Sequence, residues 1–297
     1  MAIRPKLKIL YTGADPTGEV DTRELTPLVH VHIPKCAGTT LDHVIMGLAK
    51  ACSRPGIRFR GTIYGQAFSG TEREEAWKKA EGSHYPIGWL YASGHIPYGH
   101  FPYHGGAADE VSIIRDPPSR LISMFRMGVK RGAWKATTAV KDLFDAGLFA
   151  PDSMVRQLCG ERSRDRALDD RDVETAVGNF QRMKYAGRIE EFGAILGAIL
   201  AAYRIPYIAY HNFQVGEPGR DQERDRLTEA FAPYMRLDKA FFDLAATNRR
   251  VSRQMQEISI TDVAPSAAVL LASPLIVPEN GMDIQSAFVS VESIIDI

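Results

Sequence analysis

The residues His32-Ile33-Pro34-Lys35-Cys36-Ala37-Gly38-Thr39-Thr40-Leu41 gather a lysine, a glycine and two hydroxyls into one short stretch. Before them runs the β-branched segment Leu28-Val29-His30-Val31-His32-Ile33, and after them apolar residues recur at helical spacing: Leu41, Val44, Ile45, Leu48. Strand, turn and helix in that order put unpaired backbone N–H groups at a helix start, where the helix dipole favours negative charge. Lys35 adds a point charge, Thr39 and Thr40 add hydroxyl donors, and Gly38 allows close backbone approach to a ligand. The chemistry this assembles is a cradle for a phosphate-like anion. Cys36 reads as a small packing residue of the loop, since the spacing supplies no histidine to activate its thiol.

A second group lies farther along. Val111-Ser112-Ile113-Ile114 reads as a buried strand and leads into Arg115-Asp116-Pro117-Pro118-Ser119-Arg120-Leu121-Ile122-Ser123-Met124-Phe125. Asp116 suits a helix N-cap and Pro117 the first helical position. Arg115 then ends the strand and Ser123 sits two turns into the helix, so a guanidinium and a hydroxyl can meet on one phosphate. The other polar groups receive plainer readings. His30 and His32 share a strand face as satisfied polar neighbours, and His95, His100 and His104 are loop histidines rather than a metal cluster. Glu190 and Glu191 open a helix, where carboxylates complement the dipole.

The loop differs from that of nucleotide triphosphatases, in which the lysine directly precedes the hydroxyl residue. Here Lys35 stands four residues before Thr39, and no glycine opens the loop. Instead, Pro34-Lys35-Cys36-Ala37-Gly38-Thr39-Thr40-Leu41 resembles the 5′-phosphosulfate loop of sulfotransferases that use 3′-phosphoadenosine 5′-phosphosulfate (PAPS). The segment from Arg115 to Phe125 is similar to their 3′-phosphate motif, in the same order along the chain. Between the two, Ala92-Ser93-Gly94-His95-Ile96-Pro97-Tyr98-Gly99-His100-Phe101 resembles the stretch bearing the catalytic histidine of heparan sulfate 2-O-sulfotransferase and related carbohydrate sulfotransferases. Weaker similarity continues through Asp152–Gly160, Tyr185–Phe192, Asn212 and Leu237–Phe242, so that it spans roughly residues 26–246. The family's basic loop near its end has only Arg220 as a counterpart, and Ser153 stands where asparagine is common.

The resemblance implies a reaction. An acceptor hydroxyl attacks sulfur in line with departing adenosine 3′,5′-bisphosphate, and His95 takes the hydroxyl's proton, with His100 as the alternative base. Lys35 and the loop N–H groups stabilise the charge that develops. Cys36, Ala37, Gly38, Thr39 and Thr40 surround the 5′ side, while Arg115 and Ser123 hold the 3′-phosphate. No metal is required. A rival reading is a P-loop nucleotide-dependent kinase with magnesium on Asp116, opposed by the lysine position and by the two prolines that follow. A non-catalytic nucleotide- or glycan-binding module on the same fold is the other alternative.

Elements that position these groups alternate along the chain. Strands are predicted at 6–11, 28–33, 57–64, 87–92, 111–114, 184–188 and 207–210, and helices at 41–51, 72–81, 117–129, 140–149, 152–159, 171–183, 190–203, 221–234 and 239–257. Such alternation predicts an α/β fold with a central parallel sheet flanked by helices, a P-loop-type three-layer arrangement with ligands beyond the strands' carboxyl ends. Residues 1–257 form that domain. Residues 258–297, with few charges and no helical period, read as an extension: a strand appendage, an oligomer contact or a mobile tail.

Bulk properties narrow the class. A chain of 297 residues with 45% hydrophobic and 24% charged residues can bury a large core. Thirty-six basic and 36 acidic side chains leave no global field to gather a polyanion, and no basic–aromatic stripe points to nucleic acid. The local basic groups, among them Lys130, Arg131 and Lys135, read as solvated faces, with that trio close to the cleft. Three scattered cysteines are no disulfide framework. Charges break every apolar run well short of the roughly 20 residues a membrane span needs, and no secretory signal is visible. The expectation is a cytoplasmic enzyme acting on a hydroxyl-bearing acceptor, a carbohydrate by the resemblance.

Overall fold

A computed structural model describes residues 7–11, 25–53, 56–62, 89–100, 108–161, 163, 166–205, 207–211, 221–247, 256–258, 268–277 and 281–290. Strand β2 (Leu28–Val31) is buried at every position, as a strand covered on both faces must be. It pairs in parallel with β4 (Tyr91–His95) and β5 (Asp109–Ile114). Strand β3 (Gly56–Thr62) extends the sheet beside β4, and β6 (Tyr185–Arg188) beside β5, both again parallel. The order β3-β4-β2-β5-β6 makes an α/β fold with a central parallel sheet flanked by helices. From β2 the chain builds outward to β3 and β4, then crosses to β5 on the other side. β2 therefore lies at the switch point, where the carboxyl ends of neighbouring strands open a crevice. The Lys35 loop follows β2, His95 closes β4, and Arg115 follows β5, so all three leave the sheet at that one edge.

Helix α1 (Gly38–Ala51) fills the space between this sheet and a second one. The second sheet has the order β10-β9-β7-β1-β8, with β1 (Leu7–Tyr11), β7 (Tyr207–His211), β8 (Gln256–Ile258), β9 (Ala268–Val277) and β10 (Gly281–Ser290). β1 pairs antiparallel with β7 and β8, and β9 joins β7 in parallel and β10 in an antiparallel pair. α1 packs on β3 and β4 to one side and on β9 and β10 to the other. Its expected apolar stripe, Leu41, Val44, Ile45 and Leu48, is buried, but so are Thr40, Asp42 and His43. A helix covered all round is a core helix rather than an amphipathic surface one.

Several boundaries differ from the sequence-based expectation. β4 runs Tyr91–His95 instead of 87–92, which places His95 on the strand's last residue rather than in a following loop. The helix predicted through residue 257 is α8, Arg236–Thr247, and Gln256–Ile258 instead pairs with β1 as β8. Apolar spacing there suited a helix, but the partner strand lies near the opposite end of the chain. The boundary drawn at 257/258 falls inside β8, and the segment beyond it supplies two ten-residue strands. The predicted helix 72–81 lies outside the described residues.

A smaller core holds the second motif. Helix α2 (Pro117–Lys130) sets Leu121, Ile122 and Phe125 against α3 (Val140–Asp145) and α7 (Asp221–Phe231) through Leu143, Phe144, Leu227 and Phe231. α3 ends at Asp145, short of the predicted 149, and Gly147 takes a left-handed φ of 74° just beyond it. Helices α4 (Ser153–Leu158), α5 (Asp170–Arg182) and α6 (Phe192–Ala202) complete the described helices. Among the described residues, no helix is long and apolar enough to cross a membrane.

Candidate functional site

The loop between β2 and α1 is wound tightly, with Lys35 at φ 69° and Ala37 at φ 61°. Non-glycine residues enter this left-handed region at a cost of about 1–2 kcal/mol each, a strain that concentrates at functional positions. Ala37 is the N-cap of α1, and among the described residues no side chain caps this end. Its carbonyl accepts from Thr40 N–H at 3.0 Å and Leu41 N–H at 3.3 Å. The first turn carries no acidic residue. What remains is a helix N-terminus whose Gly38 and Thr39 N–H groups suit an incoming anion.

Gly38 has a further reason to be glycine. A Cβ there would lie 2.3 Å from His32 Cδ2 and Nε2, and 2.9 Å from His30 Cε1. The two imidazoles press against the helix start, so the close approach is made by the protein itself from beneath. Cys36 is buried, its Sγ lies 3.7 Å from the Pro34 carbonyl, and burial pushes its thiol pKa up to about 12. It is a packing residue and no thiolate nucleophile.

Positive charge converges above the loop. Lys35 Nζ lies 3.6 Å from Met127 Sδ on α2, and burial followed by the nearby Arg131 and Arg115 cations lowers its pKa. Arg115 Nη1 donates to the Lys35 carbonyl at 3.5 Å, joining the end of β5 to the loop after β2. Ser123 is half-buried on α2 one helical turn before Met127, on the face that meets Lys35. Lys35, Arg115, Arg131 and the open end of α1 thus form one electropositive cluster, with Ser123 at its side. Arg131, read as part of a solvated face, is exposed, and its charge acts on Lys35.

His95 is half-buried at the end of β4, and its ring meets that of His32 edge to face with centroids 4.6 Å apart. His100 is engaged differently: its Nε2 lies 3.0 Å from the Gly160 carbonyl. A carbonyl only accepts, so Nε2 carries the proton there and is not a free base. His104 lies outside the described residues. Gln157 on α4 ties the strand ends together, its Nε2 donating to the His32 carbonyl at 3.1 Å and the Ile96 carbonyl at 3.3 Å. The same residue's carbonyl accepts from Tyr98 N–H at 2.8 Å.

Under the loop, Asp42 of α1 faces four side chains. Its Oδ1 accepts from Ser93 Oγ at 2.5 Å, Tyr91 OH at 2.7 Å and His30 Nδ1 at 2.9 Å, and Oδ2 lies 3.2 Å from His32 Nδ1. Burial works to raise the Asp42 pKa, but His32 and His30 together outweigh it and hold the carboxyl well below its ordinary value. Asp42 is the group both histidines face, His30 from within β2 through a hydrogen bond and His32 from just beyond the strand through an ion-pair contact. Helical periodicity passes over Asp42 because it falls off the apolar stripe of Leu41, Val44, Ile45 and Leu48, on the side expected to face solvent. No local signal marks it, because its partner His30 lies twelve residues earlier in the chain.

The second motif uses its polar residues for construction. Asp116 caps α2 by accepting from Ser119 N–H at 3.2 Å, with Pro117 opening the helix. Arg120 is buried and donates to Asp238 Oδ2 at 2.9 Å and Ser153 Oγ at 2.8 Å, while Asp238 Oδ1 accepts from Val155 N–H at 2.9 Å. Burial pushes the Asp238 carboxyl up to about 6 against the pull of Arg120. This pair joins α2, α4 and α8 and holds the platform from which Ser123 and Met127 reach the cluster.

The chain is an α/β protein in which a helix start without a side-chain cap among the described residues, with Lys35, Arg115 and His95 around it, lies at the switch point of the parallel sheet. No protein-family model matches the chain, and no curated protein does.

Proposed function

We propose that this chain is a PAPS-dependent sulfotransferase, moving a sulfuryl group from PAPS to an acceptor hydroxyl, with a carbohydrate as the acceptor class and the cytoplasm as its setting. The reading includes a P-loop-type three-layer identity for the fold. The observation that carries it is the meeting of Lys35 and Arg115, eighty residues apart, at an uncapped helix N-terminus. In this reading Lys35 and the Gly38 and Thr39 N–H groups stabilise charge on the transferring group and the departing phosphate, with the Thr39 and Thr40 hydroxyls beside them. Arg115 and Ser123 bind the 3′-phosphate, Arg115 by charge-assisted bonds. His95 accepts the proton of the attacking hydroxyl. Adenosine 3′,5′-bisphosphate is the second product, and the step is balanced without a metal.

The kinase alternative needs Asp116 to hold magnesium, yet that carboxylate is occupied in capping α2. Titration calorimetry with adenosine 3′,5′-bisphosphate, with 5′-AMP and magnesium–ATP as comparators, tests the proposal. Binding in the micromolar range is expected, with Lys35→Ala and Arg115→Ala each weakening it about 10- to 100-fold, the range for a lost charge-assisted bond. No bisphosphate binding, or a preference for magnesium–ATP, overturns the reading. Bisphosphate binding without turnover of PAPS on any acceptor would favour the non-catalytic module.

A further inference from the structure

We infer that Asp42 and His32 are positioning residues for His95, forming a buried support that fixes the plane of the base at the mouth of the cradle. Asp42 lies within α1, the helix whose N-terminus forms the cradle, and faces back toward the sheet. Its two oxygens serve different partners: Oδ1 takes Ser93, Tyr91 and His30, while Oδ2 faces His32 Nδ1 at 3.2 Å. An ionised carboxylate only accepts, so the ring nitrogens turned toward it carry protons. His32 Nδ1 faces Oδ2 as an ion-pair contact, which favours the Nδ1–H form, and the ring turns its Cδ2–Nε2 edge to Gly38, where a side chain would collide with it. The same ring meets His95 at a centroid distance of 4.6 Å and an interplanar angle of 72°. One carboxylate therefore orients one imidazole, and that imidazole backs the next. Gln157 holds the backbone of both, through the His32 and Ile96 carbonyls.

A metal ion is the competing explanation, because ligand atoms of His30, His32 and Asp42 lie within 4.8 Å of one another. Ring geometry argues against it. The His30 and His32 rings are stacked nearly parallel, 9° apart with centroids at 4.8 Å. Nitrogen lone pairs lie in the ring planes, and the planes of stacked rings do not meet at one ion. A carboxylate spans the gap because each ring can take its own oxygen. The same arrangement gives Asp42 a role besides filling space, since a packing residue at this point in a buried helix would be apolar.

The inference rests on the sulfotransferase reading only for its kinetic arm. The experiment compares full-length wild type, Asp42→Asn and His32→Asn, each labelled with 15N-histidine. In wild type, His32 shows the Nδ1–H form and a ring-to-ring Overhauser contact with His95. Asp42→Asn loses that form and shifts the His95 ring resonances. His32→Asn keeps an amide donor for Asp42 yet removes the ring behind His95, so it reads the coupling even where Asp42→Asn does not fold. In turnover both variants lower kcat about tenfold or more, the usual effect of removing a partner that orients a working side chain. Affinity for adenosine 3′,5′-bisphosphate stays within about threefold. Unchanged His95 resonances in both variants overturn the inference, as does an equal loss of kcat and bisphosphate affinity, which would make Asp42 a support of the cradle alone. If wild type neither binds bisphosphate nor turns over, the sulfotransferase reading falls, and the imidazole spectra still decide whether Asp42 governs His95.

Discussion

Two units share one order, a parallel strand leading into a helix, through residues 32–37 after β2 and through Arg115 and Asp116 after β5, and the two helices start in opposite ways. After β2, α1 begins at a left-handed alanine with no side-chain cap among the described residues and no acid in its first turn. After β5, α2 begins at Asp116, which accepts from Ser119 N–H, and at Pro117, which has no N–H to leave unsatisfied. One N-terminus has no side-chain cap among the described residues and the other is closed by the protein. Strand–helix junctions alike in their order along the chain differ in the donors they leave open, because a capped helix start has already used its own. The second unit contributes instead through Arg115 just before its cap and through the α2 face carrying Ser123 and Met127.

Mutations in the two units test this contrast. The largest effect is expected in the second unit. Asp238→Ala strands the buried Arg120 guanidinium, which should destabilise the fold by about 3–5 kcal/mol in urea unfolding. A loss below about 1 kcal/mol would mean that α2 is not anchored through this pair. In the first unit, Gly38→Ala drives a methyl group into His32 and should cost about 1–3 kcal/mol as overpacking. It should also abolish calorimetric binding of adenosine 3′,5′-bisphosphate by displacing the helix start. Retention of full affinity would show that the anion sits elsewhere. The smallest effect is expected for Asp116→Ala, about 1 kcal/mol of stability for a lost cap, with bisphosphate affinity unchanged. If that variant loses nucleotide affinity while keeping its melting temperature, Asp116 is a ligand-binding residue and the contrast between the two units collapses.

Much of the first unit was legible beforehand. Local spacing alone indicates a strand, a turn and a helix around Lys35, since backbone hydrogen bonding and side-chain periodicity act over a few residues. Asp116 and Pro117 announce the start of α2 for the same reason. The alternating elements also indicate a parallel sheet, because a short crossover helix between strands imposes that pairing. His95 was legible as a residue but misplaced by a few positions, since strand ends are set by partner strands rather than by local preference.

Other features were decided only in three dimensions. β8 and β9 pair with β1 and β7, and nothing near Gln256 or Ala268 in the sequence names those partners. The second sheet covers α1 and turns its polar side into core, so Asp42, which periodicity alone would leave on a solvent face, lies beneath the cradle with His30 and His32. Gln157 and Arg120 follow the same rule, each joining segments more than thirty residues apart. The amino-acid order by itself determined which groups could bind an anion and which helices could form, because those properties belong to neighbouring residues. Which helix start stays open, which histidine is backed by a carboxylate and which cations crowd together were settled by packing, because burial and long-range pairing exist only once the sheets have closed around α1.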